Sequence, residues 1–410
     1  PDEERPACRP LRTAPAYDRQ AARGAQFGFV NGWERPNYFG SLGAPENFDH
    51  DARSFRRGGW WQHAVDEAKA IRKGVGLIDA TAFTKHVVKG PGATQFLDWF
   101  TCNKLPKIGR INLTYALTGA GTTRTEYTIV RNGEDSYYLV SAGAWTEYDA
   151  DFLRKAAADK MPEFGYIEIQ DVTTQWGVFA IAGPKSRDVL KAVIKDADPE
   201  TALSNKRFPW LSARQIELGM CPVNAIRVAY TGELGWELHH PMEMQNYLFD
   251  LLEKAGEPHG MKLVGARAQN WLRQEKSYRA FGNELGRDAT PVEADLPRFI
   301  DLSKAFHGKD EMVAKGVRSK CVTVLIDGPS DADPWGREAL YDMAGNRIGR
   351  LTSGGYSVAF EQSIGMGYVK PELAEVGTKV QVKMQDKMWP AQIVEDSPYD
   401  PKNATIRVDG

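Results

Sequence analysis

The chain has 410 residues, 42% of them hydrophobic and 26% charged, with a net charge of −2. That length allows two or three domains with cores of their own, and the near-neutral balance excludes long-range attraction to nucleic acid or to an anionic membrane surface. No apolar run approaches a membrane span, and four scattered cysteines (Cys8, Cys102, Cys221, Cys321) exclude a zinc knuckle or disulfide scaffold and fit a reducing cytoplasm. The N-terminus carries no apolar signal core, and a start at Pro1 rather than Met suggests a trimmed or partial product.

Residues 1–59 read as an extended, irregular arm. Pro6, Pro10, Pro15, Pro36 and Pro45 interrupt it, and the aromatics of Trp33–Phe39 suit an anchor on a folded body. Trp60 to Lys73 then shows the apolar stripe of a helix, at Trp60, Ala64, Val65, Ala68 and Ile71, ended by Gly74 and Gly76. Strands follow at 77–79 and 84–90, with a helix at 93–100. An antiparallel set comes next, at 111–117, 126–130 and 137–140, and a helix at 145–157. A similar order returns: strand 178–181, helix 186–193, strands 222–230 and 236–239, helix 244–255. Two αβ layers of about a hundred residues each read as a duplicated unit. A last helix, 266–281, precedes a Gly-containing loop at 282–289.

From about residue 318 short strands dominate, at 322–327, 347–352, 363–369 and 379–384, which indicates a small β-barrel or sandwich. The domain division expected is therefore 1–59, 60–317 as two interleaved αβ lobes, and 318–410.

Chemistry concentrates in Arg227–His239, RVAYTGELGWELH. Gly232 and Gly235 permit a sharp turn, and Glu233 and Glu237 bracket Trp236 near Tyr230. Carboxylates beside aromatic surface suit a flat heteroaromatic ligand with ring N–H donors. The same residues also fit a plain hairpin whose glutamates face water. Arg273, Glu275, Lys276 and Arg279 stand at helical spacing and are expected to form an intrahelical ion network. His239 and His240, neighbours on a strand, point to opposite faces and cannot easily share an ion. His63 and His86 stand alone, so no metal site is expected. Pairs such as Gly74/Gly76 and Gly119/Gly121 lack the third glycine of the dinucleotide fingerprint, and no P-loop, His-Glu-x-x-His or Gly-x-Ser-x-Gly occurs. No flavin or nicotinamide site is expected in this chain.

Tyr230-x-Gly-Glu-x-Gly-x-Glu237, the run Leu272–Gly282 and Thr290-Pro-Val-Glu-Ala294 together resemble the folate-binding aminomethyltransferase family. That family includes the glycine cleavage T-protein, and the chain from about Trp33 onward is most similar to the folate half of dimethylglycine and sarcosine dehydrogenases. The resemblance implies an α+β, three-lobed cloverleaf: two αβ antiparallel-sheet domains around a folate channel, plus a C-terminal β-barrel. It implies tetrahydrofolate as cofactor, Glu237 holding the pterin, Tyr230 and Glu233 in or near the same pocket, and Tyr138 and Val140 on the channel wall. Glu126 takes the position of a family Asp beside N10 of the folate, one methylene longer. Arg273 is the helix charge that would serve the site. An Arg that some T-proteins use aligns with Gln269, and a late Tyr with Ala404, so the strict T-protein pattern is not kept.

The implied reaction captures a carbon unit from an N-methyl amine as 5,10-methylene-tetrahydrofolate, with a flavoprotein partner or flavin half supplying the oxidation. Two alternatives stay open. One is flavin-free demethylation of a sulfonium, ammonium or aryl methyl ether to give 5-methyl-tetrahydrofolate. The other is a non-catalytic folate-binding regulatory or iron–sulfur-assembly protein, whose Lys-Gly-Cys-Tyr-type motif is absent.

Overall fold

A computed structural model of the chain describes residues 6–41 and 54–409; residues 1–5, 42–53 and 410, which include Pro45 of the arm, lie outside them. Two sheets and a barrel organise the rest. One sheet has five antiparallel strands in the spatial order Ile111–Leu117, Thr123–Gly133, Ser136–Ser141, Thr84–Lys89, Glu168–Asp171. The other has six, in the order Ala213–Leu218, Cys221–Ile226, Gly235–Pro241, Trp176–Ala182, Gly76–Asp79, Lys262–Val264. The C-terminal strands, from Lys320–Ile326 to Lys387–Val394, close into a six-stranded barrel.

Side-chain alternation along each strand decides what each sheet face meets. On the five-stranded sheet Tyr127, Ile129, Tyr137 and Leu139 form one core with Phe96, Leu97 and Phe100 of helix Ala93–Phe100 and Leu153 and Ala157 of helix Thr146–Phe164. On the six-stranded sheet Leu77, Ile181, Trp236 and Leu238 pack on Val189 and Leu190 of helix Ser186–Lys191 and on Leu248, Phe249 and Leu252 of helix Gln245–Gly256. Trp236 is fully buried there, worth on the order of 2–3 kcal/mol.

The residues of opposite parity turn inward. Ile111, Val130, Tyr138 and Val140 of one sheet meet Ala213 and Ile226 of the other in a single cluster. The two sheets thus stack face to face here, with the helices named above on their outer faces. The rest of the six-stranded inner face, Ile78 and Val264, is covered by Ala68 and Ile71 of helix Trp60–Lys73 and by Ala268 and Leu272 of helix Ala266–Glu275.

Several sequence expectations need correction. The arm is not irregular throughout: Ala25–Val30 pairs with Trp33–Phe39 as a hairpin. Its end is tied down by Glu67, which accepts from Phe39 N (2.6 Å) and Gly265 N (2.8 Å). The two αβ lobes are interleaved in sequence, as expected: Gly76–Asp79, from the first stretch, pairs with Trp176–Ala182 in the second. The strand expected to reach Tyr230 ends at Ile226, and the helix expected to reach Phe281 ends at Glu275, where Ser277 takes a positive φ of 51°.

The charges of that helix do not pair with one another. Arg273 reaches Glu284, Glu275 reaches Arg72, Lys276 reaches Asp400, and Arg279 reaches Asp396. Each ties the helix end to a different segment. Gln274 and Glu275 also bond the barrel strand Arg347–Ser357, through Gly354 O (3.2 Å) and Ser357 Oγ (2.7 Å). The backbone passes so close that a Cβ at Gly355 would lie 2.3 Å from Trp271.

Candidate functional site between the two sheets

Glu126 and Glu237 both stand on inward faces. In the five-stranded sheet Glu126 lies directly opposite Tyr115, two residues along the strand from Thr128, which pairs with Leu113 and Val140. In the six-stranded sheet Glu237 lies opposite Ala180 on one side and Ile226 on the other. Where Val130, Tyr138 and Ile226 meet, the sheets touch and water is excluded. Nearby, Glu126, Thr128, Ala180, Val228, Tyr230 and Glu237 all keep partial accessibility. Glu126 lies deep among protein atoms yet keeps part of its surface accessible.

Burial raises Glu126 to about 7, while Tyr115 and Arg273 pull it down and Glu284 pushes it up. The Tyr115 hydroxyl beside it is buried without a hydrogen-bond partner of full geometry. Tyr230 donates to Arg279 O (3.0 Å), its ring stacked on Tyr278 with centroids 6.1 Å apart. Burial raises its phenol, an effect partly offset by Arg273 and reinforced by Glu126 and Glu284. These charge influences put Glu126, Tyr230, Arg273 and Glu284 in one neighbourhood.

Arg273 is fully committed. Its guanidinium bonds Asn270 Oδ1 (2.9 Å), Tyr278 O (2.8 Å), Glu284 (3.0 Å) and Ser353 Oγ (2.6 Å). It serves as a positive charge behind Glu126 rather than as a free arm. Glu233 is also engaged, accepting from Arg72 Nη1 (2.6 Å) and Tyr399 Oη (2.7 Å), and buried at 2% exposure. That set locks the Tyr230–Gly235 turn to helix Trp60–Lys73 and to the C-terminal tail. Tyr138 and Val140 are 4% and 6% exposed. Val140 packs in the cluster between the sheets, and the Tyr138 hydroxyl reaches across to His239 Nδ1 (3.0 Å).

Three groups were not singled out as site residues from the sequence. Glu284 sits in the loop expected at 282–289 and pairs with Arg273. Tyr115 faces Glu126 through strand register. Lys85, fully buried on the inner face, donates to Thr81 O (2.8 Å) and Trp176 O (2.6 Å), and burial lowers it to about 7 despite Asp79 and Asp171. A separate recess of about 140 Å³ lies away from these carboxylates, against Trp60, Arg267, Trp271 and Trp335. It holds none of the inward acids. That recess is lined by arginines and Asp333, whereas the inner faces present Glu126 and Glu237 as partly accessible carboxylates.

The GCVT N-terminal domain model matches residues 16–304, and the glycine cleavage T-protein C-terminal barrel domain model matches residues 320–400. The mitochondrial dimethylglycine dehydrogenase of Rattus norvegicus is 34% identical over 420 residues, covering 100% of this chain and 47% of that protein. The chain spans about half the length of that relative and of its mouse and human counterparts. A probable aminomethyltransferase of Thermococcus kodakarensis is 30% identical over 375 residues, covering 84% of this chain and 91% of its own. The crystal structure of the glycine cleavage system aminomethyltransferase T from Bartonella henselae superposes with a TM-score of 0.78 at 24% identity, over 95% of this chain and 98% of that one, and so shares the fold.

Proposed function

This chain belongs to the glycine cleavage T-protein family, and we propose that it moves a one-carbon unit from an N-methyl amine to tetrahydrofolate, giving 5,10-methylene-tetrahydrofolate. The observation that supports this most is that Glu126 and Glu237, both partly accessible, stand on the inner faces of the two stacked sheets. The residues fit tetrahydrofolate: Glu237 as a carboxylate for ring N–H donors, and the stacked Tyr230 and Tyr278 as aromatic surface. When bound, tetrahydrofolate supplies the nucleophilic nitrogens that accept the carbon.

We assign Glu237 to holding the pterin, with Tyr230 and Val140 lining the cleft. Glu126, held by burial at about 7, exchanges between acid and carboxylate near neutral pH. It is suited to taking the N–H proton that is lost as the carbon bonds to its new nitrogen and the demethylated amine departs, and its anion stabilises a cationic iminium donor. Arg273 and Glu233 position this machinery without touching the ligand, through the bonds to Glu284 and Arg72. A flavoprotein partner or flavin half supplies the oxidation, as the dimethylglycine dehydrogenase likeness suggests.

The test is product identity. Incubation with tetrahydrofolate, dimethylglycine and an amine-oxidising flavoprotein, followed by mass spectrometry, is expected to give the methylene product above the uncatalysed level. A 5-methyl product from a sulfonium or ammonium donor without flavoprotein would instead assign direct demethylation. Binding without any transfer would leave the chain a folate-binding protein only.

A further inference from the structure

We propose that His239 and Tyr138 act as positioning residues that fix the orientation and acceptor role of Glu237, through a hydrogen-bond chain running from one sheet to the other. The proposal rests on the pterin-holding assignment of Glu237. His239 is two residues from Glu237 on Gly235–Pro241, so both side chains leave the same face. His239 Nε2 lies 3.3 Å from Glu237 Oε2, and His239 Nδ1 lies 3.0 Å from the Tyr138 hydroxyl on the facing sheet. The tyrosine and imidazole rings meet edge to face, with planes at 88° and centroids 5.4 Å apart.

The chain has one consistent direction. A carboxylate can only accept, so Nε2 carries the hydrogen; a neutral imidazole then offers Nδ1 as acceptor, and Tyr138 donates to it. Burial lowers His239, Glu237 opposes that shift, and the nearby Lys85 reinforces it, so the ring is neutral. Burial, with help from Glu237, raises the Tyr138 phenol far above its ordinary value, so it stays a donor. The result occupies one lone pair of Glu237 Oε2 and leaves the other oxygen for a ligand presenting N–H donors. The other tautomer would set a lone pair against the carboxylate. His240, the neighbouring imidazole, takes no part: it stacks on Phe179 and bonds Leu238 O (2.8 Å) on its own side.

The experiment reads the tautomer before any ligand is added. Nitrogen-15 histidine spectra of the full chain, with His239 assigned by the His239→Gln variant, are expected to show the Nε2–H form. Tyr138→Phe is expected to move His239 toward a tautomer mixture and to weaken tetrahydrofolate binding about tenfold. His239→Gln, which keeps a donor near the Nε2 position, is expected to bind several-fold more tightly than His239→Leu. A resting Nδ1–H tautomer overturns the proposal, as does an unchanged tautomer in Tyr138→Phe. Equal losses for Gln and Leu would make His239 packing only and also overturn it. Absence of tetrahydrofolate binding to the unaltered chain would sink the pterin assignment while leaving the tautomer reading to be judged separately.

Discussion

Tyr115 and Glu126 are direct partners across the strand pair Ile111–Leu117 and Thr123–Gly133, the phenol buried without a full hydrogen bond and the carboxyl held at about 7. A carboxylate that must be ionised to accept a proton then imposes its titration on the reaction. The rate of carbon transfer, measured as kcat/KM from pH 5.5 to 9, is expected to rise to a plateau with an inflection near 7. Tyr115→Phe removes a group that lowers Glu126, so the inflection should move up. A profile flat through this range would remove Glu126 from the proton transfer.

The same burial has a stability consequence. Glu126 in the folded chain titrates at about 7, above the ordinary 4.5. Below about 4.5 both folded and unfolded states are protonated and no penalty arises. Between that value and about 7 the unfolded chain ionises first and stability falls, then levels off. Glu126→Gln should therefore unfold at a higher temperature than the unaltered chain at pH 8. The gain is on the order of 2 kcal/mol, discounted for the partial solvent access of the side chain. At pH 4.5 the two should unfold together; an equal offset at both values would point to packing instead of charge.

Arg273 and Glu284 are a buried pair whose loss should be unequal by design of the variant. Arg273→Met leaves Glu284 buried with only hydroxyl and backbone donors, at a cost of about 3–5 kcal/mol. Adding Glu284→Gln to Arg273→Met should recover part of it. Urea denaturation of the two single variants and the double variant gives the coupling directly, and a strictly additive result would deny that the pair is a unit.

Much of this arrangement was legible in the sequence. Helix Trp60–Lys73 was readable because its apolar stripe and terminal glycines agree, and the barrel because its strands are short and turn-bounded. Glu126 and Glu237 could be located along the chain, but their placement on the inner faces of two different sheets depends on which strands pair, which local pattern does not carry. The ion pairs of Arg273 and Glu275 were misread as intrahelical because spacing suggests it; the helix stops at Glu275 and tertiary partners take the charges. His239 could have been found, since an i, i+2 neighbour of Glu237 in a strand must share its face. Lys85 gave no signal, its meaning resting on burial alone.

The C-terminal tail braces the Tyr230–Gly235 turn through Tyr399, whose hydroxyl donates to Glu233 over 2.7 Å and whose ring lies 3.8 Å from the Arg72 guanidinium carbon. Tyr399→Phe keeps the ring and removes the donor, so a loss of about 1.5–3 kcal/mol is expected in chemical denaturation. Tetrahydrofolate affinity should fall only modestly. A stability unchanged within error would mean the tail rests on the turn without supporting it.

Division of labour between the two inward acids is measured most directly by separating binding from transfer. Anaerobic calorimetry with tetrahydrofolate and single-turnover assays should be run on the unaltered chain, Glu237→Gln and Glu126→Gln. Glu237→Gln is expected to bind at least about tenfold more weakly. Glu126→Gln should bind within about threefold of the unaltered chain yet transfer carbon at least about a hundredfold more slowly. If both variants bind and turn over like the unaltered chain, the cleft between the sheets is not where the carbon is accepted.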